Sequence, residues 1–202
     1  MKNVTLIIPA KNESEALPIV LNKLRKFNFK IVVVLNKSDV KTIRAIKKFK
    51  IKILYQNNQG YGDALIKGIN NCTTELFCIF NADGSFKATE IIKMKKLLRS
   101  KKLDFVFGSR YQKNSGSQDD TIITLIGNYL FTKIGQLFFN LPITDILYTF
   151  VLGKTSSAKK LKLNQKNFSF CVELPIKAIK NKMFIKSSSA YEFKRIAGKK
   201  KV

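Results

Sequence analysis

Asp83 closes an apolar run, Phe77 to Phe80, in the string Asn81-Ala82-Asp83-Gly84. A carboxylate at the carboxyl end of a strand can hold a hard divalent cation that also binds a diphosphate, offsetting charge as the leaving group departs. A second string, Gln59-Gly60-Tyr61-Gly62-Asp63-Ala64, opens a helical stretch. Its two glycines permit close backbone approach at a helix N-terminus, where an anion is favoured. Taken alone, the first string reads more simply as a strand-to-turn aspartate and the second as a tight turn against a sheet. Histidine is absent from the chain. That excludes a Ser-His-Asp triad, a Cys-His dyad, an HExxH zinc site and any His-based acid/base pair within it.

The elements that must position these residues alternate. Val4 to Ile8 is a continuous apolar run closed by Pro9, the pattern of a strand buried on both faces, and a helical stretch from Glu13 to Phe27 follows. Lys30 to Leu35, Ile51 to Tyr55, Leu76 to Phe80 and Phe105 to Gly108 read as further strands, separated by helices over Val40 to Phe49, Tyr61 to Asn70 and Thr89 to Ser100. Such alternation predicts right-handed crossovers and a parallel, doubly wound α/β sheet, with ligands beyond the carboxyl ends of its strands. There the sequence places Pro9 to Glu13, Asn36 to Asp39, Asn57 to Gly60, Asn81 to Gly84, and Ser109-Arg110, all polar or glycine-bearing. After Tyr111 the alternation stops. A polar segment, Gln112 to Asp120, leads into an amphipathic helix over Thr121 to Asn140, and Phe168 to Lys180 reads as a short strand entering a helix.

The 202 residues suffice for one domain with a proper core, and their formal net charge is +25. That charge calls for a polyanionic partner. Only five of the basic residues are arginines and thirty-three are lysines, whereas sequence-reading nucleic-acid proteins lean on the bidentate guanidinium. No nucleic acid is expected as partner, and part of the lysine excess fits genomic base composition. Cys72, Cys78 and Cys171 are odd in number and lack CxxC spacing, as expected of reduced core thiols in the cytosol. No secretory signal is visible. The most apolar stretch, Thr121 to Phe139, is interrupted by Asn128, Lys133 and Gln136 and falls short of the roughly 20 apolar residues a span needs, so no transmembrane helix is expected.

Seven blocks then occur in order: Ile7-Ile8-Pro9-Ala10-Lys11-Asn12-Glu13, Gly60-Tyr61-Gly62-Asp63-Ala64-Leu65, Asn81-Ala82-Asp83-Gly84, Gly108-Ser109-Arg110-Tyr111, Thr144-Asp145-Ile146-Leu147-Tyr148-Thr149-Phe150, Phe170-Cys171-Val172-Glu173-Leu174 and Arg195-Ile196-Ala197-Gly198-Lys199. Together they resemble the family-2 GT-A glycosyltransferases, and within them the dolichyl- and polyprenyl-phosphate mannose and glucose synthases. The resemblance implies a Rossmann-like GT-A sheet in one domain, with residues 1–111 binding a nucleotide sugar and residues 112–202 forming the acceptor and membrane-interface part. It implies that Pro9, Ala10, Asn12, Glu13, Asn36, Gly60, Gly62, Asn81 and Asp83 bind the nucleotide sugar. Asp83 and Asn81 would hold Mg2+ or Mn2+. Asp83, Asp145, Arg110 and Arg195 would form the catalytic set, the arginines bordering donor and acceptor phosphates. Glu173 matches a family glutamate whose job is read as structural.

Two departures stand out. Where the family has Asp-Asp-Gly-Ser after the second strand, this chain has Leu35-Asn36-Lys37-Ser38, and the Asp-x-Asp signature is reduced to Asn81-Ala82-Asp83. Asparagine can ligate through its carbonyl but brings no charge, so weaker metal affinity, a different nucleotide or an inactive relative are the readings left open. The closing pattern Gly-Lys-Ser-Lys of many members reads Gly198-Lys199-Lys200-Lys201.

The implied reaction is inverting transfer of a hexose from a GDP-mannose or UDP-glucose class donor to a polyprenyl phosphate. Absence of histidine suits it, because a lipid phosphate is already anionic and needs positioning and charge offset, not a strong base. In the helix over Thr121 to Asn140 the apolar residues Ile122, Ile123, Leu125, Ile126, Tyr129, Leu130, Ile134, Leu137 and Phe138 recur at mostly helical spacing. They suit either a core helix or, as the resemblance favours, one lying in a bilayer surface. A peripheral protein at the cytoplasmic face is expected, with an anionic membrane surface and a partner membrane protein among its contacts.

Overall fold

The computed structural model describes residues 1–198; the basic stretch Lys199 to Lys201 lies outside the described residues. Its main sheet is built from β1 (Val4–Pro9), β2 (Lys30–Leu35), β3 (Lys52–Tyr55), β4 (Leu76–Ile79), β5 (Phe105–Ser109), β7 (Val151–Lys154) and β8 (Ile185–Ser189) in the order β3-β2-β1-β4-β7-β5-β8. All neighbours run parallel except β7, which is antiparallel to both β4 and β5. A two-stranded parallel sheet joins β6 (Gly116–Ser117) to β9 (Tyr191–Glu192).

Strand alternation sends successive side chains to opposite faces. On one face Leu6, Ile8, Val33, Leu35, Cys78 and Val106 pack under α1 (Ala16–Leu24) and α4 (Ala88–Ser100). On the other Ile7, Val32, Val34, Phe77, Ile79 and Phe105 pack under α3 (Tyr61–Asn70), α6 (Thr155–Lys160) and α7 (Phe170–Lys180). Both faces are covered, which is why these strands read as unbroken apolar runs. All three cysteines are free and buried.

The expected elements of the first half are present with shifted ends. Helix α1 starts at Ala16 rather than Glu13, because the chain after β1 is held in a loop. Asn12 sits at φ 54°, its N–H donates to Asp39 Oδ2, and the Glu13 N–H donates to Thr42 Oγ1. Helix α2 (Val40–Ile46) is capped by Asp39 and ends before Phe49. Helix α5 (Ile122–Phe139) is bounded by Thr121 in a capping box and by Asn140 at φ 52°, the two residues expected at its ends.

The second half departs more. Phe168 and Ser169 form no strand: α7 begins at Phe170, and the buried Phe170, Leu174 and Ala178 share one helical face. Strands β6 to β9 had no expectation. Inserting β7 between β4 and β5 separates two strands that simple alternation would pair directly.

Candidate active site at the carboxyl ends of the strands

The order reverses between β1 and β4, so the crevice at their carboxyl ends is where an open α/β sheet binds its ligand. Pro9, Ala10 and Asn12 line one wall with Glu13, whose carboxylate is nearly buried. Beside them, at the end of β2, Asn36 Oδ1 accepts from both the N–H and the hydroxyl of Ser38, which leaves its amide nitrogen pointing to no described partner.

Asn81 and Asp83 form the other wall. Asp83 Oδ1 accepts from the Ser85 N–H and Asn81 Nδ2 donates to Ser85 Oγ. The remaining oxygens, Asp83 Oδ2 and Asn81 Oδ1, have no hydrogen-bond partner among the described residues. Two hard oxygens with a single charge suit a magnesium-like ion that takes its other ligands from substrate phosphate and water. No group of three or more His, Cys, Asp or Glu able to hold a metal by itself occurs among the described residues. Gly84 adopts φ 85°, and a Cβ there would collide with Ile196.

Gly60 and Gly62 do something other than expected. A Cβ at either would strike the backbone of residues 165–167, and the Asp63 N–H donates to Lys166 O at 2.9 Å. The close approach that their spacing suggested for an anion is made here by the chain's own loop. Glu173 anchors that loop by accepting from the Asn164 and Gln165 N–H groups, and it pairs with Lys177 at 2.7 Å, in keeping with a structural role. Tyr61 stacks on Phe168 and its hydroxyl meets Thr149 at 2.7 Å. Burial pushes the Tyr61 pKa up, and Cys171 and Asp83 act the same way, so its hydroxyl stays protonated at neutral pH.

Arg110 and Asp145 are brought together beyond the end of β5. Asp145 is fully buried; its Oδ2 accepts from the Arg110 Nε at 2.8 Å and from the Arg110 N–H, and its Oδ1 from Arg110 Nη2 at 3.1 Å and Asn128 Nδ2 at 2.7 Å. Arg110 Nη1 donates to Asp120 and Glu192, both at 3.1 Å, and the guanidinium lies over the Tyr148 ring. Burial works against the charge of Arg110, but the bonds and charges of Asp145, then Glu192, outweigh it and hold the pKa above its usual value. Tyr111, bonded to Asp120, is pushed up to about 12 by burial and that bond. This arginine and aspartate therefore saturate each other and tie three parts of the chain together. Sequence reasoning did not single out Asp120, Tyr148 or Glu192 for this cluster, and it noted Asn128 only as a polar interruption.

Arg195, the other arginine of the implied set, reaches Glu13 from the C-terminal segment. Its Nη2 reaches both carboxylate oxygens of Glu13, at 2.9 and 3.0 Å. The segment carrying it crosses Asp83: the Ile196 N–H donates to Asp83 O and the Phe193 N–H to Ser85 O.

Helix α5 is inverted. Asn128, Thr132 and Gly135 are its buried residues, while Ile122, Ile123, Leu125, Ile126, Tyr129, Leu130, Phe131, Ile134, Leu137 and Phe138 are exposed, Ile123 at 82%. The core-helix alternative is thereby removed. Over its 18 residues the mean hydropathy is 1.3, so by length and composition it is long and apolar enough to cross a membrane, which the sequence reading did not expect. The polar residues taken as interruptions are in part the packing face: Asn128 and Gln136 bond inward, the latter to Ile143 O.

A glycosyl transferase family 2 pattern matches residues 5–162. A UDP-N-acetylglucosamine–dolichyl-phosphate N-acetylglucosaminyltransferase of Methanococcus voltae is 26% identical over 91% of this chain and 83% of its own. An uncharacterized glycosyltransferase of Mycobacterium tuberculosis is 32% identical over 53% of this chain and 48% of its own. Among solved structures, glucosyl-3-phosphoglycerate synthase from M. tuberculosis with Mn2+ and UDP superposes with a TM-score of 0.73 at 11% identity, covering 100% of this chain and 73% of that one. Mannosyl-3-phosphoglycerate synthase from Rubrobacter xylanophilus gives 0.74 at 13% identity, covering 98% and 68%. The mixed, mostly parallel sheet is that of the GT-A fold. With the crevice between β1 and β4 and the pattern match over most of its length, the chain belongs to glycosyl transferase family 2.

Proposed function

We propose that this nucleotide-sugar glycosyltransferase moves a hexose or N-acetylhexosamine to a polyprenyl phosphate at a bilayer surface, as a peripheral protein of the cytoplasmic face. The observation that carries the lipid acceptor is α5, whose exposed face is apolar and whose buried face is polar. A water-soluble acceptor gives no reason for that inversion, whereas a helix lying in the headgroup region does. The net charge of +25 favours an anionic leaflet. The M. voltae relative, which uses a UDP-linked donor and a dolichyl-phosphate acceptor, adds support for both.

Chemically, a phosphate oxygen of the acceptor attacks the anomeric carbon, the bond to the donor diphosphate breaks, and its electron pair leaves with the nucleoside diphosphate. Asp83, with the Asn81 carbonyl, would hold a Mg2+ or Mn2+ ion, which supplies charge neutralisation on that diphosphate. Pro9, Ala10, Asn12, Glu13 and Asn36 border the nucleotide, and Arg195 is the cation beside it. Arg110 and Asp145 act by holding the acceptor-side loops in place.

The test is purified protein with labelled UDP-, GDP- and other nucleotide sugars and polyprenyl phosphate in vesicles, with and without EDTA. Metal-dependent lipid-linked sugar from one donor is the expected result, and none from any donor overturns the reading. Asn36 and Asn81, standing where carboxylates are usual, favour a second reading: a relative that binds the donor with weak or no turnover. Donor binding without product would select it.

A further inference from the structure

Asn128 is 2% exposed and sits on the inward face of α5. Its Nδ2 donates to Asp145 Oδ1 at 2.7 Å, and its Oδ1 accepts from the Leu147 N–H at 3.3 Å. No other side chain of α5 reaches the Asp145 carboxylate. Thr132 accepts from the Ile146 N–H, and Gln136 donates to Ile143 O.

Asn128 thereby joins the cluster around Arg110. Asp145 takes the Nε–Nη2 fork of the Arg110 guanidinium, while Asp120 and Glu192 both take its Nη1. The amide of Asn128 offsets part of the Asp145 charge and orients that carboxylate toward the fork. Glu192 lies in β9, and residues just beyond it carry the Arg195–Glu13 pair and the backbone bonds to Asp83 and Ser85. From α5 to the donor crevice, each link is thus a hydrogen bond or a few residues of chain.

We propose that Asn128 is a positioning residue that couples the seating of α5 to the segment 191–197 over Asp83, acting through Asp145 and Arg110. This rests on the reading of α5 as the element that meets the bilayer. Arg110 still neutralises Asp145 when the amide is lost, so Asn128→Ala leaves no bare buried charge and the fold persists.

The test is amide hydrogen exchange on the full chain, free and bound to phosphatidylcholine–phosphatidylglycerol vesicles, in wild type, Asn128→Ala and Asn128→Gln. In free Asn128→Ala, exchange at the Phe193 and Ile196 amides rises about tenfold, the scale of one lost hydrogen bond, while β1 and β4 amides keep their protection. Vesicles slow those two amides in the wild type but not in Asn128→Ala, although both bind. Asn128→Gln, which keeps the amide donor, restores part of the slowing. Wild-type exchange at Phe193 and Ile196 in free Asn128→Ala overturns the proposal, as does a uniform rise that includes β1 and β4. Failure of the wild type to bind vesicles overturns the membrane reading instead, and the free-protein comparison still decides whether Asn128 positions the segment.

Discussion

Arg195 bridges both carboxylate oxygens of Glu13 through a single Nη2, at 2.9 and 3.0 Å, joining residues from opposite ends of the chain across the mouth of the crevice. Both side chains are largely buried, at 19% and 9% exposure, so the contact is screened less than a surface pair. It fixes the C-terminal segment over Asp83 and places a cation beside the expected diphosphate.

Arg195→Ala removes two charge-assisted bonds from a buried carboxylate and should cost about 1.5–3 kcal/mol. Glu13→Gln in the same chain should recover part of that loss. Urea unfolding of the two variants checks it, and equal stability of wild type and Arg195→Ala would refute it.

Asp83→Ala should lower kcat/KM on the order of a hundredfold or more, because the only charged member of the Asn81–Asp83 oxygen pair is lost. Asn81→Asp should strengthen manganese-dependent binding of the nucleoside diphosphate by about tenfold, since affinity follows ligand charge. Initial-rate assays of lipid-linked product read the first, and titration calorimetry with and without EDTA reads the second.

Breaking the buried pair is a stability matter. Asp145→Ala strands Arg110 among fewer partners and should cost about 3–5 kcal/mol, whereas Arg110→Lys cannot reproduce the fork and should also destabilise. Thermal melts distinguish this from a purely catalytic loss, which would leave Tm unchanged.

Leu137→Lys with Phe138→Lys should abolish vesicle binding and leave Tm near wild type, because both side chains are exposed, at 76% and 70%. Each lost apolar contact weakens partition by about 1.5–3 kcal/mol. Vesicle co-sedimentation measures it; undiminished binding would rule α5 out as the membrane element.

Glu90 supplies a pH signature. Burial pushes its carboxyl above the usual range, against the bond from the Tyr191 N–H and the charges of Lys93 and Lys87, and its Oε2 has no partner among the described residues. A raised folded pKa means the native state keeps a proton that the unfolded chain has released. Stability is therefore greatest below the ordinary glutamate pKa and falls as pH rises through the raised value. Glu90→Gln should flatten that fall and stabilise the protein at neutral pH, as denaturant midpoints across pH would show.

The unbroken apolar strands, the polar loops after each of them and Asp83 beyond β4 were all legible in the chain, because buried strands and strand-end turns leave local patterns. The role of Gly60 and Gly62 was not, since the loop that fills their space comes from residues 165–167, far along the sequence. Strand β7 escaped notice because it lies outside the strand–helix alternation that marked the equally short β3 and β4, and only pairing with β4 and β5 makes Val151–Lys154 a strand. The Arg110 cluster was half visible, its arginine and Asp145 but not Asp120 or Glu192.

For α5 the sequence determined, from spacing, that an apolar helix with Asn128 and Gln136 in it would form. It could not say which face turns inward, because helical periodicity is the same for a core stripe and a membrane stripe. That was decided by what waits opposite: Asp145, Leu147 and Ile143 offer hydrogen-bonding groups to a polar face, so burying Asn128 satisfies both sides and the isoleucines, leucines and phenylalanines are left outside.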